Sequence, residues 1–149
     1  MSKYAVILNT TNICDNIIVL NEGSQWSPPE DHYIVNIDGS LAGIGWHYEP
    51  ATQVWTAPPT VSAEFSPSPI FINQETTLSW SSTDATSVSI STDPGVVFDP
   101  NGSKAYTPTS VGKTIAIVTA TGPAGSASYT ATITGYGTQS EMNSATVFV

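Results

Sequence analysis

The sequence predicts an all-β chain: a small antiparallel N-terminal β domain followed by a β-sandwich. Three observations lead there. Short runs alternate apolar and polar residues, as Leu78 and Trp80 do against Thr77, Ser79 and Ser81, and a period of two is the pattern of a half-buried strand. Turn-forming clusters separate these runs, drawing on 11 Gly and 11 Pro, residues that punctuate short strands. No long segment carries the 3.6-residue period of a helix.

Residues 1–57 form the first block. Tyr4 to Leu8 is apolar, Asn9 to Asn12 signals a turn, and Ile13 to Leu20 is a second strand, together a hairpin. A bend with Trp26, Pro28 and Pro29 follows, then a third strand from Tyr33 to Ile37 closed by Asp38-Gly39. Ile44 to Glu49 and Gln53 to Thr56 make a second hairpin across Pro50-Ala51-Thr52. Trp26, Trp46 and Trp55, three of the four tryptophans, fall here with Tyr4, Tyr33 and Tyr48. A domain of this size buries only about 60% of its unfolded surface. Large aromatics raise the burial per residue, and a partner surface would add to it. Trp46, Tyr48 and Trp55 therefore have two readings, as sheet core or as a surface that stacks on sugars or fills a partner's pocket. Core is the simpler one for them; Trp26, in its proline-rich bend, is expected to be partly exposed.

Ala57-Pro58-Pro59-Thr60 is the expected boundary, because two prolines remove two backbone donors and favour an extended spacer. Beyond it Ser and Thr supply 31 of 90 residues, a composition suited to the solvated face of strands. Val61, Ala63 and Phe65 alternate before Ser66-Pro67-Ser68-Pro69, which an edge strand tolerates. Thr76 to Ser81 and Ser87 to Ser91 follow as neighbouring strands, with Leu78, Trp80, Val88 and Ile90 inward. Turn signals at Asp93-Pro94-Gly95 and Asp99-Pro100-Asn101-Gly102 flank Val96 to Phe98. Lys104 to Thr107, Thr114 to Thr121 and Ser126 to Thr134 are the remaining strands, the last two joined by Gly122-Pro123-Ala124-Gly125. Ala127, Tyr129, Ala131 and Ile133 are expected to face inward. That makes about seven short strands, the count of an immunoglobulin-like sandwich, over residues 60–135.

The segments TLSWSSTDATSVSIS (Thr77 to Ser91) and TATGPAGSASYTATI (Thr119 to Ile133) carry a resemblance. Pro59 to Thr134 resembles the bacterial and phage immunoglobulin-like repeats of the Big and PKD kind. By that analogy Ala116, Val118 and Ala120 point inward, leaving Ile115 and Ile117 on the outer face, where apolar pairs usually mean a covered surface. They are expected to pack against the first domain, the C-terminal tail or a neighbouring subunit. In the first block, GIGWHYEPATQVWTAP (Gly43 to Pro58) is similar to short aromatic modules of tailed-phage virion and tail-fibre proteins. The resemblances imply a non-enzymatic virion structural protein, a capsid decoration or tail accessory displaying its immunoglobulin-like domain. Its partners would be capsid or tail proteins and further copies of itself on the particle. The alternative is a carbohydrate- or host-surface-binding adhesin that recognises glycans. Residues 136–149 form a C-terminal tail ending in Val147, Phe148 and Val149, which are expected to add a strand to this chain or a neighbour.

Charge excludes some classes. Lys3, Lys104 and Lys113 are the only strong cations against 12 acids, for a net charge of −9. Such a surface cannot neutralise a phosphate backbone, and an anionic membrane would repel it. The start, MSKYAVILNTTN, is too short in apolar residues for a signal peptide, and no run approaches a membrane span. Synthesis in the host cytoplasm and release with the particle is the route expected.

Candidate chemistry is sparse. Cys14, His32 and His47 match no compact zinc spacing, and a lone Cys14 makes no internal disulfide. Asp31 beside His32 lacks a serine in a nucleophile elbow. Glu30 with Asp31 reads as a solvated loop, and Asp93, Asp99 and Asn101 lack the EF-hand spacing, so they read as turn residues. No catalytic, metal or cofactor site is expected. The interface candidates are Trp26, Trp46, Tyr48, Trp55, Ile115, Ile117 and Phe148.

Overall fold

The computed structural model describes residues 1–138, all in strands, turns and irregular segments, with no helix among them. The central strand of the first sheet is β1 (Ser2–Leu8), flanked antiparallel by β2 (Cys14–Leu20) and β3 (His32–Asn36), in the order β2-β1-β3. Asn12, with φ of 56°, closes the β1–β2 turn, a backbone position that Asn tolerates better than most residues. A bulge interrupts the β1–β2 ladder: Ile7 pairs Cys14 while Val6 pairs Asn16, so Asp15 is the extra residue. Cys14 stays toward the core, and Asp15 is turned to the opposite face.

The second hairpin is shorter than expected. Strand β4 (His47–Glu49) begins only after a turn through Gly43 to Trp46, in which Gly45 has φ of 89°, and it pairs with β5 (Val54–Thr56). It docks against the end of β2: the Cys14 amide donates to the Trp46 carbonyl at 2.9 Å, and the Tyr48 amide donates to the Asn12 carbonyl at 2.8 Å. Ala5, Ile7, Cys14, Ile37 and Tyr48 form the buried cluster of this region, edged by Tyr33, Val35 and Trp55.

The remaining strands form two further sheets. One is β6 (Thr60–Ser66), β8 (Thr76–Thr83) and β10 (Gly102–Tyr106), in the order β10-β8-β6. The other is β7 (Ile70–Phe71), β9 (Ser87–Ile90), β11 (Gly112–Gly122) and β12 (Gly125–Tyr136), in the order β7-β12-β11-β9. Their inner faces share one buried cluster, which includes Phe65, Leu78, Trp80, Val88, Ile90, Val118 and Ile133. This is a β-sandwich arrangement, antiparallel except where Gly135 and Tyr136 of β12 run parallel to β7.

Strand β7 was not expected, β10 starts at Gly102 inside an expected turn, and Val96 to Phe98 contributes only an isolated bridge from Phe98 to Val88. Three further details depart from expectation. Strands β8 and β9 are consecutive but do not pair; they lie in opposite sheets, because the connection at Asp84 to Thr86 crosses the sandwich. The crossing is tight. A Cβ on Gly122 would lie 2.1 Å from the Asp84 carbonyl oxygen, so only glycine fits there. Second, β12 runs two residues past Thr134, so the tail begins later than residue 136. Third, Tyr129 is 44% exposed although its partner Val118 is fully buried. By register its side chain starts on the inner face. Strand β7 covers β12 only at Gly135 and Tyr136, so the outer edge of β12 is open at Tyr129, which shares a surface depression with Ser62 and Glu64 of β6.

Trp80 is buried on the inner face of the first of these sheets. Its ring meets Phe98 edge-on at 5.4 Å, its Nε1–H donates to the Asp99 carbonyl at 3.0 Å, and Gly102 lies against its face.

Candidate functional site

The aromatic set of the first block is divided by the fold. Tyr48 is buried, in tilted contact with Trp55 at 4.8 Å between ring centroids and with Tyr33 at 6.5 Å. Rings in this geometry add to the burial they bring. Trp46 and Trp55 are half-buried, and Trp26 is 41% exposed. The outermost candidate in the proline-rich bend is thus available to a partner, whereas Tyr48 works within the core.

His32 takes a role that sequence spacing does not show. Its Nδ1 lies 2.7 Å from an Asp31 carboxylate oxygen, and its Nε2 bonds the carboxylate of Asp15. The bulge in β2 puts Asp15 within reach across β1. Hydrogen bonding to Asp15, then to Asp31, holds the imidazole pKa above its ordinary value against the opposing effect of burial. With both ring nitrogens engaged by carboxylates, His32 clasps β2 to β3, and the raised pKa favours its protonated form. The Asp31–His32 pair is completed by a second acid and not by a nucleophile.

The other reactive groups lie apart. Cys14 is buried, and its Sγ donates to the Asn16 carbonyl; burial pushes its thiol pKa up, which makes it a poor nucleophile. His47 has a buried Nδ1 without a hydrogen-bond partner among the described residues. Among the described residues no group of three or more His, Cys, Asp and Glu is placed to hold a metal ion. Asp93 forms an ion pair with Lys104, which lowers the carboxyl pKa, and Asn101 accepts from the Ser82 amide at 2.9 Å. Both residues hold the loops between β9 and β10 in place.

On the second sheet of the sandwich, Ile115 and Ile117 point outward and are 54% and 44% exposed. The expected cover is therefore not provided by the first block. Their cross-strand neighbours on β12 are Thr132 and Thr130, so the isoleucines form a narrow apolar stripe beside hydroxyls. Phe148 lies outside the described residues, as does the rest of the tail beyond Thr138.

The opposite outer face carries a groove that the alternation pattern could not reveal. Ser62 pairs Ser81, and Glu64 pairs Ser79, on two adjacent rungs of β6 and β8. Together with the emerging Tyr129 they line an open depression of about 450 Å³. Ser62 and Ser81 share a hydroxyl–hydroxyl hydrogen bond of 3.1 Å. The Glu64 carboxylate is exposed and makes no ion pair or hydrogen bond among the described residues.

Comparison with known proteins yields no protein family that matches the chain and no curated relative similar to it in sequence.

Proposed function

We propose that the chain is a non-enzymatic structural component of a tailed-phage virion, a capsid decoration or tail accessory. Residues 1–57 hold the particle, and the immunoglobulin-like sandwich of residues 60–135 is displayed. One observation carries this reading: the described residues contain two separate buried clusters of very different size. The larger one closes the sandwich by itself. The smaller one has five buried residues, edged by half-buried Trp55, and Trp26 is exposed in the bend between β2 and β3. A block so sparsely filled gains stability by mass action when a partner binds its folded form, and tryptophan is the residue type that concentrates interface energy. The outward Ile115 and Ile117 would serve lateral contacts with neighbouring copies or other particle proteins.

Immunogold imaging of purified particles with an antibody against residues 60–135 tests this directly. Label is expected at regular sites on the particle surface; unlabelled particles overturn the proposal. Full-length chain added to particles lacking it should bind saturably, and Trp26→Ala should weaken that binding by about tenfold or more, the scale of an interface hot spot.

A further inference from the structure

The geometry points to a carbohydrate site on the outer face of β6 and β8, taking a neutral pyranose ring against Tyr129. This gives the displayed sandwich of the proposed virion protein a ligand, while the binding itself rests on the groove alone. A pyranose presents C–H groups on its faces and hydroxyls around its rim. It is recognised by an aromatic face beside groups that accept and donate hydrogen bonds. All of these converge here. Tyr129 is 44% exposed at the open edge of β12. Glu64, without a partner among the described residues, offers two carboxylate oxygens to adjacent sugar hydroxyls, and bonds to an ionised acceptor are the stronger kind. Ser79 stands directly opposite it on the ladder. Ser62 and Ser81 spend one bond on each other and keep lone pairs for a ligand.

Charge narrows the class. No Lys or His lines the groove and the net charge is −9, so an acidic sugar or a phosphate would meet Glu64 with nothing to offset the repulsion. A small cation would satisfy Glu64 and the ring but leave the serine hydroxyls unused. The volume of about 450 Å³ falls within the roughly 300–1,000 Å³ typical of small-ligand sites. Because the groove is open, a single ring should bind weakly, and many copies displayed on one surface would multiply the effect.

The test is an amide-shift titration of the full-length, ¹⁵N-labelled chain. Neutral probes are methyl α-D-mannopyranoside, methyl β-D-galactopyranoside and methyl β-D-glucopyranoside; charged controls are N-acetylneuraminic acid and choline. At least one neutral glycoside should saturate with a dissociation constant of about 10 mM or tighter. Its shifts should be confined to residues 62–64, 79–81 and the neighbourhood of Tyr129. Tyr129→Ala and Glu64→Gln, both surface changes, should each weaken binding by about tenfold. Ile115→Ser, on the outer face of β11 and away from the groove, should leave it unchanged. The assignment is overturned if no neutral glycoside saturates, if only choline or the acidic sugar binds, if the shifts fall elsewhere, or if Tyr129→Ala binds like the parent. None of these outcomes bears on particle attachment, which the imaging experiment reads separately.

Discussion

Replacing Trp80 with alanine should unfold the sandwich more than any other single change, and the structure sets the scale. The side chain is 6% exposed, and truncating a buried aromatic residue costs about 3–5 kcal/mol. Its Nε1–H also donates to the Asp99 carbonyl at 3.0 Å, a bond whose loss adds about 1 kcal/mol. The sum, about 4–6 kcal/mol, is comparable with the whole stability of a small domain, about 5–15 kcal/mol. For a domain of this size each kcal/mol moves the midpoint by about 4–8 °C, so thermal unfolding followed by circular dichroism should shift down by at least about 15 °C. The opposite perturbation probes the same indole. A Cβ on Gly102 would stand 2.8 Å from the Trp80 Cζ2, so Gly102→Ala should force the ring aside and cost about 1–3 kcal/mol by overpacking. Trp80→Phe keeps most of the apolar contact but not the donor, and it should fall between parent and alanine variant. A Trp80→Ala protein that melts within a degree or two of the parent would refute the reasoning, because the indole could not then be packed between the sheets.

Two further outcomes follow from close contacts. Gly122→Ala should destabilise by about 1–3 kcal/mol or more, because its Cβ would meet backbone, the Asp84 carbonyl oxygen, at 2.1 Å; chemical denaturation midpoints equal to the parent's would show that the β8–β9 crossing is loose. For His32 the sign is set by its raised pKa. The folded state holds the imidazole proton more tightly than the unfolded chain, whose pKa is near the ordinary 6.5. The clasp is therefore fully stabilising below that value and is lost as pH rises through the raised one. The first block should melt at lower temperature at pH 8 than at pH 6, and Asp15→Asn should flatten that dependence; an unchanged slope in the Asp15 variant would count against the clasp.

Much of the chain was legible because alternation is a local property. Phe65, Leu78, Trp80, Val88 and Ile90 face the core where the period of two places them, and all are buried. Ala116, Val118 and Ala120 do the same on β11, and Gly122 to Gly125 closes the final hairpin with the register the turn implies. The first β1–β2 hairpin was equally plain.

The sequence by itself determined most of the strands, which face of each is apolar and where most turns fall, since these depend on neighbours along the chain. It missed β7 at Ile70–Phe71 and read Gly102, the first residue of β10, as turn. Only the tertiary structure decided partners. A period of two says which side of a sheet Leu78 and Val88 face but not that β8 and β9 belong to opposite sheets, nor that Ile70 and Phe71 run parallel to the end of β12. One bulge moved Asp15 onto the face where His32 waits, an irregularity that no pattern of apolar residues encodes. Tyr129 is the sharpest case. Its parity is inward, in step with Ala131 and Ile133, yet the facing sheet ends at β6 and β7 covers β12 only at its far end. Burial depends on what lies across the gap, and at that edge only the outermost strand β6 does, so a residue with a core position in the pattern became the exposed wall of the groove.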